Sequence, residues 1–491
     1  MVAFHGPLVS LPISLPALIA VALALPGTHP AAFGDPAPAQ ARPNVIVIET
    51  DDQTVEEMRA MPKVGSLIGA QGATFANSFV NYSLCCPSRS TFLTGQYAHN
   101  HDVWSNTEPN GGFQRFEELH ANNNLAVWLQ DGGYYTAMIG KYLNNYASDP
   151  PVPPGWSEWH AAAPDEQSVY DYTFNDNGAL THYGEDQTDF KQDVLTRKSV
   201  NFIGRRAPKA KPFFLWLTYT APHAGGPNPS PRPPSDCLGA AKPANRHEHS
   251  FDTASLPMPP DFNEADVSDK PAAISGLPPL DESQIVDIER KYRCELESLL
   301  SVDDGVRKVI DALEATDELG NTLVIYTSDN GFFHGEHRIA QGKTRVYEES
   351  SRVPLLIRGP GIPQNVTINS LVSNADLAPT IVDAANVDPG LTMDGRSLLP
   401  VAAHPGVFKN RELLIEEPTV KAIRSQGYMY AEYRNREREL YDLQSDPFEL
   451  QSLDQDPAYA SVAAELASRL DQLRSCAGAD CRLYLPDPPA P

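Results

Sequence analysis

The amino-acid sequence predicts an α/β fold with a large, mostly parallel sheet flanked by helices. The runs NVIVIET (44–50) and NTLVIYTS (321–328) are nearly continuous stretches of β-branched and apolar residues, which is typical of parallel strands buried on both faces. YYTAMIG (134–140) and PFFLWLTYTAPH (212–223) are further strand candidates, and helical segments such as NLAVWLQDGG and FKQDVLTRKSVNFIG lie between strands. This alternation of strand and helix predicts the α/β class.

A smaller α+β subdomain is expected at the C-terminal end. YMYAEYRN and RELYDL alternate in polarity as antiparallel strands do, and AYASVAAELASRLDQLR has the spacing of an amphipathic helix. We therefore assign residues 42–370 to a main domain and residues 371–491 to a C-terminal subdomain that completes the fold. Residues 224–285 are rich in proline and lack periodicity, which predicts a long excursion or lid near the edge of the sheet.

The charge of the chain argues against polyanionic partners. Its 491 residues include 38 Lys plus Arg and 63 Asp plus Glu, a formal charge of −25. Such a protein repels nucleic acid and anionic membrane surfaces, and no Lys/Arg run offsets this charge. We expect neither nucleic acid nor a membrane as a partner.

The N-terminal segment is typical of a signal peptide. The apolar stretch LVSLPISLPALIAVALALPG leads into a Pro/Ala-rich segment in which Ala39 and Ala41 form the small-x-small pattern of a signal-peptidase site. Residues 1–41 are therefore predicted to be an export signal, although no Lys or Arg precedes Arg42. The alternatives are a misassigned start codon and a membrane anchor, and the prolines and short apolar length disfavour the anchor. The expected location is secreted or periplasmic, outside the cytoplasm.

Export would make disulfide bonds favourable among the six cysteines. Cys476 and Cys481 could close a small loop, and Cys237 and Cys294 are a plausible second pair, although spacing alone does not fix the connectivity. The other two cysteines are sequence neighbours and therefore poor partners for each other. They require a different explanation.

Two predicted strands end in oxygen ligands. Asp51 and Asp52 follow the first strand, and Asp329 and Asn330 follow the strand at 321–328. The carboxyl ends of parallel strands meet at one edge of the sheet, where ligands bind. Hard oxygen donors suit Ca²⁺ or Mg²⁺ better than Zn²⁺. The simpler alternative is that the two N-terminal aspartates only cap the next helix.

The stretch CCPSRSTFLTG (85–95) accounts for the adjacent cysteines. Cys85 and the residues after it reproduce the pattern C-x-P-S-R-x-x-x-L-T-G, in which the chain resembles the type I sulfatases. The resemblance implies an alkaline-phosphatase-like sulfatase fold and oxidation of Cys85 to formylglycine by a formylglycine-generating enzyme. Cys86 occupies the variable position of the pattern. Because Pro87 suits the first turn of a helix, Cys85 is expected at a helix N-terminus, which favours a bound sulfate.

Other blocks resemble sulfatases in their usual order: ETDDQ, GKYLNNY, APH, TSDNGFFHGEHR and QGKTRVYEE. The resemblance implies one divalent cation per chain, most often Ca²⁺, with the ligands Asp51, Asp52, Asp329, Asn330 and the residue derived from Cys85. It also implies that Arg89, Lys141, His223 and Lys343 are active-site residues.

One block departs from the family pattern. Many sulfatases have G-K-W-H-L-G, whereas Lys141 is followed here by Tyr142 and Leu143, so the histidine of that block is absent. His99 or His101 is a candidate for the missing imidazole. GKYLN and CCPSR, with HNH downstream, resemble the subgroup that contains glucosamine-6-sulfatases, extracellular glucosamine endosulfatases and related bacterial and fungal arylsulfatases.

The implied reaction is the hydrolysis of a small aryl or sugar sulfate ester. The hydrated aldehyde at residue 85 would attack sulfur, while Arg89, Lys141, Lys343 and the cation neutralise the sulfuryl oxygens. His223, together with Lys343, is the candidate for protonating the leaving alcohol. The competing hypotheses are a phosphate- or phosphonate-ester hydrolase of the same superfold and a binding protein without activity.

Four further histidines have alternative interpretations. His334 and His337 are spaced to share a zinc ion if they lie on one helix, but a loop is more consistent with their position after a strand. His247 and His249 lie in the proline-rich excursion, where they would either line the substrate mouth or be solvated loop residues.

Overall fold

The structure is a computed structural model that describes residues 42–147, 151–163, 167–208, 211–225, 237 and 239–490. The predicted export signal, residues 1–41, lies outside the described residues. Arg42–Pro491 forms one compact unit.

Sixteen strands are present in the described ranges. They are β1 (Asn44–Asp51), β2 (Ala73–Phe75), β3 (Ser78–Phe79), β4 (Tyr135–Gly140), β5 (Glu158–Ala162), β6 (Tyr172–Asp176), β7 (Ala179–Tyr183), β8 (Phe213–Pro222), β9 (Thr322–Ser328), β10 (Leu355–Arg358), β11 (Val366–Ile368), β12 (Val372–Ser373), β13 (Leu413–Glu416), β14 (Val420–Arg424), β15 (Tyr428–Tyr433) and β16 (Arg438–Asp442). All four predicted strands of the main domain are confirmed within a few residues of their expected bounds.

The helices of the same ranges are α1 (Pro62–Val64), α2 (Cys85–Thr94), α3 (Ala98–His101), α4 (Gly112–His120), α5 (Leu125–Asp131), α6 (Lys191–Arg206), α7 (Ala272–Ser275), α8 (Glu282–Ala315), α9 (Glu348–Ser351), α10 (Leu377–Ala385), α11 (Leu399–Ala403) and α12 (Ala460–Leu473). The longest, α8, begins with a capping box in which Asp281 and Gln284 each accept a hydrogen bond from the other's backbone N–H.

A ten-stranded sheet organises the molecule in the order β11-β2-β10-β9-β1-β8-β4-β5-β6-β7. The five adjacent strands β9, β1, β8, β4 and β5 run parallel, whereas antiparallel pairs occur on either side of them. Helices cover both faces. Successive side chains of β1 alternate between two cores, with Val45 and Val47 in one and Ile46 and Ile48 in the other. This double burial explains why its sequence is continuously apolar, and the predicted α/β fold is confirmed.

A second, four-stranded antiparallel sheet lies at the C-terminal end in the order β13-β14-β15-β16. Leu466 and Leu470 of α12 pack in one core with strand residues of this sheet such as Ile423, so the expected strands and amphipathic helix are present. Helix α10 packs in the same core as Val45 of the large sheet. The domain division at residue 370 stays a prediction.

The expected disulfide pairs are both formed, between Cys237 and Cys294 and between Cys476 and Cys481. The first joins the proline-rich excursion to α8. In the described part of that excursion, residues 239–280 are mostly irregular, with only the short α7. None of the helices in the described ranges combines the length and the apolar composition that a membrane-spanning helix needs.

Candidate active site

Four neighbouring parallel strands place the predicted site residues at one edge of the sheet. Asp51 ends β1, Lys141 follows β4, His223 follows β8 and Asp329 follows β9, and these strands are adjacent in the order β9-β1-β8-β4. Carboxyl ends of parallel strands converge on a ligand crevice. This arrangement brings together Asp51 and Asp329, which are 278 positions apart in sequence, and both lie beside Arg89.

The turn after β1 is held in an unusual conformation. Asp52 has a φ of 71°, in the left-handed region that costs an aspartate conformational energy. Its backbone N–H donates to Asp329 Oδ1 at 3.2 Å, and Asn330 Nδ2 donates to Asp52 Oδ1 at 2.6 Å. These bonds lock the ends of β1 and β9 together and argue against a simple capping role for the two aspartates.

Helix α2 begins at Cys85, as the position of Pro87 predicts. Leu84 is extended, with φ −145° and ψ 135°, and its carbonyl accepts the N–H of Ser88 at 2.9 Å. The Cys86 N–H is bound by Asn106 Oδ1 at 2.9 Å. At the other end, Gly95 has a φ of 68° and closes the helix in the left-handed conformation. The first turn therefore presents residue 85 to the crevice.

Cys85 is buried, forms no disulfide, and lies among charged groups. Its sulfur is 3.6 Å from Asp51 Oδ1, and Lys343 Nζ lies 2.9 Å from the same sulfur. Burial raises the pKa of the Cys85 thiol to about 12, although Lys141 and Lys343 act in the opposite direction. An unmodified thiol at this position is therefore a poor nucleophile near neutral pH.

Two lysines neutralise the aspartates beside Cys85. Lys141 Nζ lies 2.5 Å from Asp51 Oδ2, and Lys343 Nζ contacts Asp52 Oδ1 and is 3.5 Å from Asn330 Oδ1. Burial alone would raise the pKa of Asp51, but the positive charges around it, led by Lys141, hold it well below its usual range. Asp51 is thus a permanent anion in this site.

Arg89 lies one turn into α2 and is fully buried. Its Nε donates to Asp329 Oδ2 at 2.9 Å, and Nη1 donates to the Lys141 carbonyl at 2.9 Å. Nη2 is 3.3 Å from Glu49 Oε1. The guanidinium therefore ties α2 to the ends of β1, β4 and β9, and acts on the site through the residues that it holds.

His223 lies at the wall of a cavity of about 230 Å³. Its Nδ1 is 2.8 Å from the Ala224 carbonyl and its Nε2 is 3.7 Å from Asp52 Oδ2. The cavity is lined by Asp52 and Lys343, and also by Lys291, Glu295, Gln341 and Phe332. The cavity therefore combines charged, amide and aromatic side chains next to the buried charges of the crevice.

The donors of the crevice fit a divalent cation. Asp51, Asp52, Cys85 and His223 each place a ligand atom within 4.8 Å of the others. Asp329 Oδ1 accepts the backbone N–H of Asp52, and Asn330 Nδ2 donates to Asp52 Oδ1, so both residues at the end of β9 adjoin this group. Burial and the neighbouring Asp51 raise the pKa of Asp329, because the two carboxylates repel each other. Among these groups, the buried carboxylates of Asp51, Asp52 and Asp329 are the donors that suit a hard divalent cation.

The histidine that is absent from the G-K-W-H-L-G block is not replaced by either of the two candidates, His99 and His101. Leu143 is packed in the apolar core, and Tyr142 lies against Trp159 with ring centroids 4.9 Å apart. His101 is buried, with Nε2 3.1 Å from Thr91 Oγ1. His99 is bound to Glu416 and to the Cys476 carbonyl. Both imidazoles are engaged outside the Cys85 crevice, so the structure does not support either candidate.

The other histidine hypotheses have clear outcomes. His334 pairs with Glu295 at 2.7 Å, whereas His337 pairs with Glu264 at 2.8 Å, so the two rings do not share one zinc ion. His247 contacts Asp304 and His249 contacts Asp252. Neither belongs to the residues that line the cavity beside His223.

Two residues of the site were not identified from the sequence. Glu49 is buried, accepts a hydrogen bond from Trp216 Nε1 at 2.8 Å and faces Arg89. Burial raises its pKa to about 7. A glutamate inside an otherwise apolar strand is the signal that could have revealed it. Asn106, which binds the first turn of α2, lies in a loop and has no comparable signal.

Comparison with known proteins agrees with this geometry. Residues 43–387 match the Sulfatase family profile, and residues 335–476 match the C-terminal region of N-sulphoglucosamine sulphohydrolase. The chain is 33% identical to human N-acetylglucosamine-6-sulfatase over 494 residues, covering 90% of this chain and 86% of the relative. It is 37% identical over 365 residues to an extracellular sulfatase Sulf-1 homologue of Caenorhabditis elegans, covering 73% of this chain. The matched region spans about half (49%) of that relative.

A similar solved structure is that of a protein in complex with its substrate, D-glucosamine-2-N,6-O-disulfate. It has a TM-score of 0.72 and 26% sequence identity, and the match covers 88% of this chain and 97% of the other. Because a family profile matches well over half of the described residues and a relative is aligned over nearly the whole chain, the protein belongs to the sulfatase family, whose members hydrolyse sulfate esters.

Proposed function

We propose that this sulfatase cleaves sulfate monoesters through a hydrated formylglycine derived from Cys85. The supporting observation is the position of the Cys85 sulfur, which is at the start of α2, 3.6 Å from Asp51 Oδ1 and 2.9 Å from Lys343 Nζ. In the mature enzyme the two hydroxyl oxygens of the hydrated aldehyde at residue 85 would lie near the position of the sulfur. They would then lie beside the Asp51 carboxylate, which can accept their hydrogen bonds, and beside the Lys343 ammonium group, which can bind negative charge.

The proposed reaction has two stages. One hydroxyl oxygen of residue 85 attacks sulfur, its proton passes to a base, and the bond between sulfur and the ester oxygen breaks as the alcohol leaves. The second hydroxyl then loses its proton, the C=O bond reforms, and sulfate departs with the bonding electrons of the carbon–oxygen bond. Water rehydrates the aldehyde. Asp51 is adjacent to residue 85 and would accept the hydrogen bond of the attacking hydroxyl. Because the pKa of Asp51 is held well below its usual range, the proton passes on to water rather than staying on the carboxylate.

Charge on the sulfuryl group would be balanced by the two lysines. Lys141 and Lys343 bring ammonium groups to the carboxylates beside residue 85, where a low-dielectric environment strengthens electrostatic stabilisation. Arg89 is fully buried between Asp329, Glu49 and a carbonyl, and we assign it as a positioning residue.

Asp51, Asp52, Asp329 and Asn330 would hold a Ca²⁺ or Mg²⁺ ion, which would act as a Lewis acid toward sulfate oxygens.

His223 is the proposed acid for the leaving group. It is partly exposed at the wall of the cavity, with Nε2 3.7 Å from Asp52 Oδ2, whereas Asp51 and Lys141 are fully buried below it. An imidazole between the buried charges and the solvent can reach the ester oxygen of a substrate that fills the cavity. Lys343 supports the same step from the opposite side of Asp52.

The proposed substrate is a small sulfated sugar, with 6-O-sulfated glucosamine derivatives as the first choice and aryl sulfates as a second. Lys291, Glu295 and Gln341 line the cavity beside Phe332, and these side chains can hydrogen-bond the hydroxyl groups of a sugar, which a purely aromatic alcohol lacks. Relatives that carry the name N-acetylglucosamine-6-sulfatase and a similar structure with a bound glucosamine disulfate support this choice.

The two disulfides are consistent with an enzyme that works outside the cytoplasm. Extracellular sulfatases among the relatives support this proposal. A formylglycine-generating enzyme would act on Cys85 before the chain folds, because the folded residue is only 1% exposed.

The direct test is the variant Cys85→Ser, which keeps one hydroxyl but cannot expel sulfate from it. With an activated aryl sulfate it should release at most one equivalent of phenol per enzyme and retain sulfate on the peptide that contains residue 85, as seen by mass spectrometry. Sustained turnover by the variant would overturn the proposal. Wild-type assays with a sulfate and a phosphate ester of the same phenol, and with 6-O-sulfated N-acetylglucosamine, distinguish the phosphoesterase alternative and rank the substrates.

A further inference from the structure

A second group of potential metal ligands lies outside the Cys85 crevice. Asp261, in the proline-rich excursion, His337, in the loop after β9, and Glu349, in α9, place ligand atoms within 4.8 Å of one another. In a tetrahedral site with bonds of about 2.0–2.2 Å the donor atoms are about 3.3–3.6 Å apart. Small side-chain movements would therefore bring the three donors of this cluster into coordination distance of one ion.

The imidazole of His337 is oriented as metal-binding histidines are. Its side chain is fully buried, and Nδ1 lies 2.8 Å from Glu264 Oε2. A proton on Nδ1 that is donated to Glu264 leaves the lone pair of Nε2 free to bind an ion. Within the described ranges Nε2 has no hydrogen-bond partner, and Glu349 Oε2 lies 3.8 Å from it.

One oxygen of each carboxylate in the cluster also has no hydrogen-bond donor. Asp261 Oδ1 and Glu349 Oε2 are buried and accept no hydrogen bond from any described residue. Glu336 and Glu449 add further negative charge around Glu349, and Glu264 lies on the other side of the imidazole.

Positive charge near the cluster is limited in comparison. Lys270 Nζ is 3.6 Å from Glu264 Oε2, and its contacts are with Glu264, Tyr441 and the Glu449 carbonyl rather than with Asp261 or Glu349. Arg338 donates to three backbone carbonyls, those of Glu264, Ala265 and Leu277. Buried carboxylates without donors are costly unless a cation or a proton is bound between them.

Backbone contacts hold the three ligands in place. The N–H of His337 donates to the Asp261 carbonyl at 2.8 Å, and the N–H of Asn263 donates to the Gly335 carbonyl at 2.8 Å. Gly335 has a φ of +109°, and a Cβ there would lie 2.4 Å from the Phe262 ring. Only glycine allows this approach of the two segments, so the ligands are preorganised from distant parts of the chain.

The cluster is accessible from solvent through a cavity of about 230 Å³. Asp261, Glu336 and Glu349 contribute to its wall, together with Tyr292 and Phe332. Phe332 also lines the cavity beside His223. An ion could therefore enter, and one coordination position would face the cavity for water or another ligand.

We propose that Asp261, His337 and Glu349 form a second divalent-cation site that selects a transition metal such as Zn²⁺. One imidazole nitrogen and two carboxylate oxygens suit Zn²⁺, in contrast to the oxygen-rich set of the crevice. The ion would tie the excursion, the loop after β9 and α9 to one another beside the active site.

Nearby His334 is a matched control. It is also buried and paired with a carboxylate, but its Nε2 lies 2.7 Å from Glu295 Oε2. His334 forms another group of potential ligands with Glu57 and Glu295, but at 2.7 Å its Nε2 and Glu295 Oε2 are in direct hydrogen-bond contact, which is closer than two donors of one tetrahedral ion lie.

The test measures Zn²⁺ bound to full-length protein. Protein stripped with a chelator is dialysed against a small excess of Zn²⁺ with millimolar Ca²⁺ present to fill the oxygen-rich site, and the metal content is measured by mass spectrometry. Wild-type protein and His334→Gln should each retain one Zn²⁺ per chain. His337→Gln and Glu349→Gln should retain none, with at least a 100-fold weaker affinity in a chelator competition.

Two measurements keep the result independent of misfolding in the variants. Anomalous diffraction at the zinc edge from wild-type crystals should place a peak between Asp261, His337 and Glu349, and Co²⁺-loaded wild-type protein should show visible absorption that His337→Gln lacks. Absence of the anomalous peak, or equal Zn²⁺ retention by wild type and a folded His337→Gln variant, would overturn the proposal. Neither measurement depends on sulfatase activity.

Discussion

The ammonium nitrogen of Lys343 lies 2.9 Å from the sulfur of Cys85, although the two residues are separated by 258 positions in sequence. The same nitrogen contacts Asp52 Oδ1. Lys343 thus links residue 85 to the proposed cation ligands, and a change in this side chain should affect the first chemical step directly.

Substitution Lys343→Met should lower kcat by about 100-fold or more, because an ammonium that stabilises the transferring group is lost. The loss should be similar for aryl and sugar sulfates, since the lysine would act on the sulfuryl group that both share. Steady-state kinetics with both substrates test this. The control is Lys291→Met, which changes another lysine that lines the same cavity. Its main effect should be on the KM for the sugar sulfate, and its effect on the kcat for the aryl sulfate should be smaller.

His223→Gln should instead separate the two substrates. A sugar alcohol is a poor leaving group that needs a proton, and loss of a general acid costs about 10²–10⁴-fold. A nitrophenolate leaves without protonation, so kcat for 4-nitrophenyl sulfate should fall much less. Equal losses on both substrates would contradict the assignment of His223 as the acid, and His247→Gln should change neither rate.

Removal of the divalent cation should abolish turnover. Dialysis against a chelator is expected to inactivate the enzyme, and Ca²⁺ or Mg²⁺ should restore it, because the crevice supplies oxygen donors. Asp329→Asn should weaken this recovery, whereas Asp252→Asn, at an exposed loop site, should not. Full activity of chelated protein, verified as metal-free by elemental analysis, would refute the cation site.

An acid-sensitive cluster far from the chemistry gives a prediction about stability. Glu158 contacts His160 at 3.0 Å and Arg205 at 2.6 Å. Burial opposes ionisation, but these hydrogen bonds hold the pKa of Glu158 at about 2. A carboxyl group whose pKa is lowered on folding stabilises the protein fully at pH values above its unfolded-state pKa, which is about 4.5 here. This stabilisation is lost as the pH falls toward the folded-state pKa of about 2.

The variant Glu158→Gln should therefore be less stable at pH 7 by on the order of 1 kcal/mol, discounted for partial exposure. Its free energy of unfolding should approach that of wild type as pH falls from 4.5 toward 2. Urea unfolding at several pH values measures both differences. A constant difference across this range would show that the charge of Glu158 does not contribute.

Residues at strand ends were predictable because the chemistry and the secondary structure lie in one stretch of sequence. Asp51 and Asp329 each follow a visibly apolar run, and Pro87 marks the start of α2. The role of Arg89 was not predictable in the same way, since it depends on Asp329, 240 positions away. His99 looked available in sequence, but it is bound by Glu416 and the Cys476 carbonyl, which only the tertiary fold brings near.

The measurement that tests the central claim most directly is mass spectrometry of the tryptic peptide that contains residue 85, taken from preparations of different specific activity. The account predicts that specific activity rises in proportion to the fraction of residue 85 present as the aldehyde and extrapolates to zero when that fraction is zero, with Cys86 unchanged throughout. Fully active protein with an intact thiol at residue 85 would contradict it.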